Sequence, residues 1–144
     1  MVDKYPLSRA EVIDLMRKQG VNPTQQRIEI AQALFAKSQH LCADQVMSLV
    51  NKQRSIVSKA TVYNTLGLFA RKGLVREVIV DPSKVFYDPT TDPHHHLYNM
   101  DTGELLDIDP GHLVVGNLPD LPDGTHAEGI DVVIRIRNCS ASSI

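Results

Sequence analysis

Two prolines, Pro89 and Pro93, bracket a short polar stretch and prevent a single helix or central strand from running through it. Such a segment is typical of a hinge between separately folded parts. The 144 residues suffice for one domain or two small ones. The chain is therefore predicted to form two domains, residues 1–88 and 94–144, joined by a hinge at residues 89–93.

The two parts carry opposite charge. Residues 1–80 hold 12 Lys and Arg against 6 Asp and Glu, whereas residues 81–144 hold 3 against 11. A basic half joined to an acidic half favours a nucleic-acid-binding module attached to a part with another task. The alternative is that the basic helices are only solvated faces.

Targeting and membrane signals are not evident in the sequence. No apolar run approaches the roughly 18 residues of a membrane span, and the first residues carry no signal-peptide pattern. The two cysteines, Cys42 and Cys139, lie far apart and form no CxxC pair. These features predict a cytoplasmic protein without a disulfide framework and without a membrane partner.

Apolar residues at helical spacing predict helices before the hinge, and a turn flanked by apolar residues predicts a hairpin after them. The predicted elements are helices at residues 9–19, 24–37, 41–50 and 59–72 and strands at residues 74–80 and 85–87. Helices followed by a two-stranded hairpin are typical of a winged helix-turn-helix, whose last helix enters the major groove of double-stranded DNA.

The outer face of the helix at residues 59–72 is small and polar, which suits close approach to base edges. Asn pairs bidentately with adenine, and an aromatic surface can touch a thymine methyl group. The residues predicted to contact DNA are Lys59, Thr61, Tyr63, Asn64 and Arg71. The alternative is a helix–hairpin module that makes only protein contacts.

Three consecutive histidines, His94–His96, follow the hinge. In an extended chain alternate side chains share a face, so His94 and His96 point together and His95 points away. Asp88 and Asp107 can converge on this face, and mixed nitrogen and oxygen donors suit a divalent transition metal such as iron, manganese or zinc. A solvated histidine loop is the alternative.

The second part is small and strand-rich. Strands are predicted at residues 96–100, 104–108 and 130–137, and residues 110–117 are predicted to form a short helix or a loop. About 50 residues with three short strands bury little apolar surface, so this part is expected to complete its core by pairing with another copy. A homodimer also suits a helix-turn-helix protein, because two half-sites multiply affinity.

Several segments in this order resemble the ferric uptake regulator family of bacterial metal-responsive repressors. The resemblance covers nearly the whole chain and is closest to the iron response regulator branch. The segments that carry it are residues 24–27 (TQQR), 40–44 (HLCAD), 60–66 (ATVYNTL), 73–75 (GLV) and the histidine triplet.

The resemblance implies an α+β fold, with an N-terminal winged helix-turn-helix domain and a small C-terminal α/β dimerisation domain. It implies a transcriptional regulator of iron or haem homeostasis that binds an A/T-rich palindromic operator and is not an enzyme. It also implies a regulatory site that draws ligands from both domains and so couples metal binding to the hinge angle. Those ligands are His40, Asp88, His94, His96 and Asp107.

The sequence departs from the family pattern at two places. Most members carry a CxxC motif for a structural zinc where this chain has Asn99 and Thr102, so a four-cysteine zinc site is excluded. The N-terminal Cys-Pro haem motif of some branch members is absent. The resemblance to this branch implies His94, His95 and His96 as an alternative haem or second-metal site. Two other functions remain open, a metal-dependent hydrolase and a metal-binding module without DNA contact.

Overall fold

The computed structural model describes residues 4–53 and 57–140. They divide into two compact units, the first ending at Thr91 and the second beginning at Asp92. This division lies inside the segment predicted as the hinge.

The first unit combines helices with the strands of a small sheet. Its elements are α1 (Arg9–Lys18), α2 (Gln25–Leu34), β1 (Leu41–Cys42), α3 (Ala43–Gln53), α4 (Lys59–Arg71), β2 (Arg76–Asp81) and β3 (Lys84–Asp88).

Local capping explains where the helices start and stop. The Ser8 side chain accepts a hydrogen bond from the Glu11 backbone N–H, and the Glu11 carboxylate accepts one from the Ser8 N–H, which is a full capping box. Ser58 caps α4 by accepting from the Thr61 N–H. Gly73 follows α4 with a φ of 80°, in the left-handed region that favours glycine.

One face of α4 forms part of the core of the first unit. Val62, Leu66 and Phe69, spaced three and four residues apart, are all fully buried. Full burial of such a side chain stabilises the fold by roughly 1.5–3 kcal/mol. They pack in one cluster with buried apolar residues of the other helices, among them Val12, Met16, Ile30, Leu34, Phe35 and Val46. The opposite face of α4 is therefore left to solvent.

The strands of the first unit form an antiparallel sheet in the order β1-β3-β2. The predicted winged-helix architecture is confirmed, but residues 41–42 were predicted as the start of a helix and form β1 instead. The reason is pairing with distant residues, Leu41 with Tyr87 and Cys42 with Phe86. The helix begins only at Ala43, where the Gln45 side chain accepts from the Cys42 N–H as in a capping box.

The second unit is a three-stranded sheet in the order β5-β4-β6, built from β4 (His96–Asn99), β5 (Leu105–Asp107) and β6 (Val133–Ile136). The β4–β5 pair is antiparallel and the β4–β6 pair is parallel. The strand predicted at residues 130–137 is shorter than expected, and residues 110–117 form a loop, one of the two predicted alternatives. Among the described residues of this unit, only His96 and Leu105 are buried.

No helix within residues 4–53 and 57–140 combines the length and the apolar character that crossing a membrane requires.

Candidate metal centre and DNA-binding helix

His94, His96 and Asp107 come together in the second unit. The β4–β5 register pairs His96 with Asp107, and His94 lies two residues earlier on the same face. One carboxylate oxygen, Asp107 Oδ1, lies 3.1 Å from His94 Nε2 and 3.3 Å from His96 Nε2. The two rings are 4.4 Å apart between centroids, and the His96 residue is only 1% exposed. The predicted sharing of a face by these two histidines is confirmed.

The contacts of His94 restrict its tautomer. Its Nδ1 lies 2.7 Å from the Asp92 carbonyl oxygen, which can only accept, so Nδ1 must donate. In the neutral ring Nε2 then presents a lone pair to the Asp107 carboxylate. Two acceptors 3.1 Å apart require a positive centre between them, either a second proton or a metal ion.

The geometry of the donors fits a metal ion. Zinc binds imidazole nitrogen at about 2.0–2.1 Å and carboxylate oxygen at about 2.0–2.2 Å. Tetrahedral ligands at such bond lengths lie about 3.3 Å from one another. The distances around Asp107 Oδ1, 3.1 and 3.3 Å, match this spacing. The Asp92 carbonyl supplies the outer hydrogen bond that orients a ligating histidine.

A second pair of donors, His40 and Asp88, lies within the first unit. The β1–β3 register pairs Leu41 with Tyr87, which brings the preceding residue, His40, beside the following one, Asp88. His40 Nε2 lies 3.0 Å from Asp88 Oδ2. The other oxygen of this buried carboxylate accepts from the Thr90 N–H at 2.8 Å, which fixes its orientation. This pair offers the same donor types as the cluster of the second unit.

His95 makes a different contact from its neighbours. Its Nδ1 accepts a hydrogen bond from the Val132 backbone N–H at 3.0 Å, so the neutral ring carries its proton on Nε2. His94 and His95 also line a cavity of about 500 Å³ in the second unit. The other walls are mainly apolar, formed by Ile108, Leu113, Val114, Val115 and Ile130 among others.

Other candidate ligands lie outside this cluster. The His112 and His126 side chains are 74% and 85% exposed, and each lies near an exposed carboxylate, that of Asp109 and Glu128 respectively. Asn99 and Thr102, at the positions of the absent cysteines, are engaged in hydrogen bonds of the β4–β5 turn. The two cysteines are not joined in a disulfide.

The exposed face of α4 carries most of the residues predicted to contact DNA. Lys59, Tyr63, Asn64 and Arg71 are exposed, and the Lys59 ammonium lies 5.8 Å from the Tyr63 ring centroid. A Cβ at Gly67 would lie 3.4 Å from the Arg71 guanidinium, so the glycine leaves room for that side chain to lie across the helix.

Thr61, the fifth predicted DNA contact, is less accessible. It is half-buried, and its hydroxyl accepts a hydrogen bond from the Ser58 hydroxyl at 2.9 Å. This bond belongs to the cap of α4, so the structure gives Thr61 a role in starting the helix.

Sequence reasoning missed Tyr87, the residue before Asp88. Burial raises the pKa of the Tyr87 hydroxyl, and the nearby Glu77 and Tyr63 raise it further. The hydroxyl, which an ordinary tyrosine also keeps protonated at neutral pH, is here still harder to ionise. Only its position in the tertiary structure shows this, because nothing in the local sequence indicates that Tyr87 is buried.

The model of the ferric uptake regulator family matches residues 18–114 of this chain. The peroxide-responsive repressor PerR of Staphylococcus epidermidis is 32% identical over 98 residues, which are 68% of this chain and 65% of that protein. The PerR of Staphylococcus aureus is 31% identical over 98 residues, 68% of this chain and 66% of that protein. The match thus spans just under two thirds of the length of these curated relatives.

Solved structures show a similar fold. The ferric uptake regulator from Vibrio cholerae gives a TM-score of 0.70 at 18% identity, over 88% of this chain and 99% of that one. The ferric uptake regulator from Pseudomonas aeruginosa with manganese gives 0.65 at 22%, over 88% and 97%. The one from Francisella tularensis with iron gives 0.66 at 21%, over 86% and 95%.

Proposed function

This chain belongs to the ferric uptake regulator family, and on that premise we propose that it is a dimeric, metal-responsive regulator of transcription that binds specific DNA sequences. The observation that carries the proposal is the convergence of His94, His96 and Asp107, in which both histidine Nε2 atoms lie 3.1–3.3 Å from Asp107 Oδ1. The exposed face of α4 supplies the surface for DNA.

The residues that would hold the ion follow from the two donor sets. We propose that His94, His96 and Asp107 are joined by His40 and Asp88 as ligands of one regulatory metal ion, as the family pattern implies. When bound, the ion supplies a fixed link among its ligands. A ligand that binds one conformation better shifts the population toward it, typically by about 1–3 kcal/mol. Iron, manganese and zinc all suit this mixture of nitrogen and oxygen donors.

A hydrolytic function is less well supported. It requires an open coordination position and a general base beside it. In the cluster of the second unit the single carboxylate, Asp107, already faces two imidazoles through one oxygen. A regulatory role also accounts for the basic first half, which a hydrolase leaves unexplained.

The second unit supports a homodimer. A monomer rarely exposes a large apolar surface unless a partner covers it. This unit exposes many large apolar side chains on a small body, and we propose that a second copy covers part of this surface. These exposed apolar side chains are Met100, Leu106, Val114, Val115, Leu118, Leu121, Ile130 and Ile134.

Two α4 substitutions test DNA recognition in different ways. We expect Asn64→Ala to lose about 1–3 kcal/mol of discrimination at one base position, because it removes a side chain that can pair bidentately with adenine. We expect Lys59→Ala to weaken binding to all DNA sequences alike, because it removes one phosphate contact. The slope of log affinity against log salt concentration should fall by about 1. Fluorescence anisotropy with an A/T-rich palindrome and a scrambled duplex, at several salt concentrations, measures both.

The control for this experiment is Lys37→Ala, which removes an exposed lysine beyond the end of α2. It should leave both the specificity and the salt slope unchanged. The titrations are run with Mn²⁺ and with a chelator to measure the response to metal. Equal specificity and equal salt dependence in all three variants would contradict the proposed function. So would a wild-type DNA affinity that is the same with Mn²⁺ and with the chelator.

Haem is a second candidate ligand, and the cavity beside His94 and His95 supports it. An exposed histidine can ligate haem iron, and apolar walls suit the macrocycle. For His95 to ligate through Nε2, its Nδ1 must carry the proton and lose the bond from Val132 N–H. A net loss of about 1 kcal/mol is typical for one such bond.

We therefore expect His95→Ala to lose most of its haem affinity if His95 is the axial ligand. A Soret-band titration measures this, with His112→Ala as a control that removes an exposed histidine of the same unit. Equal haem affinity in the wild type and His95→Ala would exclude His95 as the ligand. An equal loss in both variants would indicate nonspecific binding.

A further inference from the structure

Asp101, in the turn between β4 and β5, contacts the end of β6 through both of its carboxylate oxygens. Oδ1 accepts from the Arg137 guanidinium at 2.9 Å, and Oδ2 accepts from the Asn138 backbone N–H at 2.8 Å. These partners lie 36 and 37 residues further along the chain. One acidic side chain thus bridges the hairpin and the last strand.

Asn99 extends this network in two directions. Its side-chain oxygen Oδ1 accepts from the Asp101 and Thr102 backbone N–H groups at 2.9 and 3.1 Å, which fixes the turn. Its amide group donates to the Asn138 side chain at 2.8 Å. Asn99, Asp101, Arg137 and Asn138 together are termed the clasp. All its contacts are between protein groups, so it needs no metal ion.

Strand β6 depends on contacts of this kind. It is a four-residue edge strand that pairs in parallel with β4 and follows a long connection without helix or strand. Closing such a loop opposes folding, and a short half-exposed strand specifies its register weakly. The clasp holds one end of β6. At the other end, the Val132 carbonyl accepts from the His96 N–H and the Val132 N–H donates to His95.

The registers of β5 and β6 on β4 also set the positions of the proposed metal ligands. His96 lies in the central strand, paired with Asp107 of β5 and Val133 of β6. A slip of one residue in the β4–β5 pair would turn Asp107 to the opposite face of the sheet. The turn that Asn99 stabilises is the connection that sets this pairing.

We infer that Asn99 and Asp101 are positioning residues for the metal centre: the clasp fixes the registers of β5 and β6 on β4 and thereby places His96 against Asp107 before any ion binds. This inference rests on the proposed metal-binding function. Neither residue contacts a proposed ligand, so both act through the strand registers, and the roughly 10–100-fold in metal affinity that a direct outer-shell partner contributes is the upper bound for their effect.

Two variants separate the roles of the clasp. Asp101→Asn removes the negative charge that holds Arg137 and Asn138, with little change in volume. Asn99→Asp keeps an acceptor for the turn but removes the donor to Asn138. Asp120→Asn, at an exposed position of the same unit outside the clasp, is the matched control.

The experiment combines hydrogen exchange with Co²⁺ titration of the full chain. In metal-free protein, Asp101→Asn should lower the amide protection of Met100 and of Val133–Ile136, whereas a chelator should leave wild-type protection unchanged. The Co²⁺ affinity of Asp101→Asn should fall, by at most the roughly 10–100-fold that is typical when a direct outer-shell partner is lost, and its visible spectrum should change. Asn99→Asp should loosen β6 while the protection of β5 persists. The control should match the wild type in both measurements.

Each contrary outcome overturns one part of the inference or the proposed metal centre on which it rests. Unchanged β6 protection in Asp101→Asn and Asn99→Asp would overturn the clasp. Lower protection with unchanged Co²⁺ affinity and spectrum would overturn the positioning role and leave the proposed function standing. A wild-type chain that gives no Co²⁺ spectrum would overturn the proposed metal centre, and the exchange data alone would then decide whether the clasp holds β6.

Discussion

His96→Ala is expected to reduce metal affinity by more than the roughly 10–100-fold that is typical when only an outer-shell partner is lost. His96 is the most buried of the three donors in the second unit, and its Nε2 shares Asp107 Oδ1 with His94. Competition with a fluorescent chelator for Mn²⁺ or Zn²⁺ measures the change. His126→Ala, which removes an exposed histidine, should keep wild-type affinity.

His40→Ala decides how far the metal centre extends. If His40 ligates the same ion, His40→Ala should lower the metal affinity, as His96→Ala does. The wild type should then bind one ion per chain. If the pair of His40 and Asp88 is only a structural ion pair, His40→Ala should bind the metal like the wild type. That second result would restrict the metal centre to the donors of the second unit.

The first unit follows the sequence closely because its signals are local. Helix caps such as Ser8 and Ser58 lie within three residues of the groups they bind, and the apolar stripe of α4 repeats every three or four residues. β1 is different. Leu41 and Cys42 continue a helical pattern, and only their pairing with Tyr87 and Phe86, far along the chain, makes them a strand.

In the second unit, too, local sequence signals do not show which distant residues a strand pairs with. Alternation predicted a strand near residue 134, but alternation carries no information on the partner strand or its direction. The parallel pairing with β4 depends on bonds from Val132 and Asn138 to residues more than 30 positions earlier. For the same reason the sequence could not show which nitrogen of His95 accepts the hydrogen bond from Val132 N–H.

The convergence of the proposed ligands His94, His96 and Asp107 could be predicted from the sequence, whereas the contacts that orient them could not. His94 and His96 follow from residue type and spacing, and the register of a hairpin brings Asp107 opposite. The tautomer of His94 depends on the Asp92 carbonyl, and a backbone group has no signature in the sequence. Outer contacts of this kind are set by the folded chain and orient the ligands.

Phe69→Ala should destabilise the first unit by about 3–5 kcal/mol, because it deletes a fully buried aromatic ring and leaves a cavity. Domains of this size are typically stable by only about 5–15 kcal/mol, so the fraction unfolded should rise sharply. Urea unfolding followed by circular dichroism measures the loss. Tyr63→Ala is the matched control, because Tyr63 lies on the same helix with 46% of its surface exposed.

The two variants should separate stability from recognition. Tyr63→Ala should change the unfolding free energy by no more than about 0.5 kcal/mol, as is usual for a surface site. It should nevertheless weaken DNA binding, because Tyr63 belongs to the face of α4 proposed to meet the bases. Phe69→Ala should bind DNA normally at temperatures where it remains folded. If Phe69→Ala lost its DNA affinity while fully folded, the division of α4 into a core face and a reading face would be wrong.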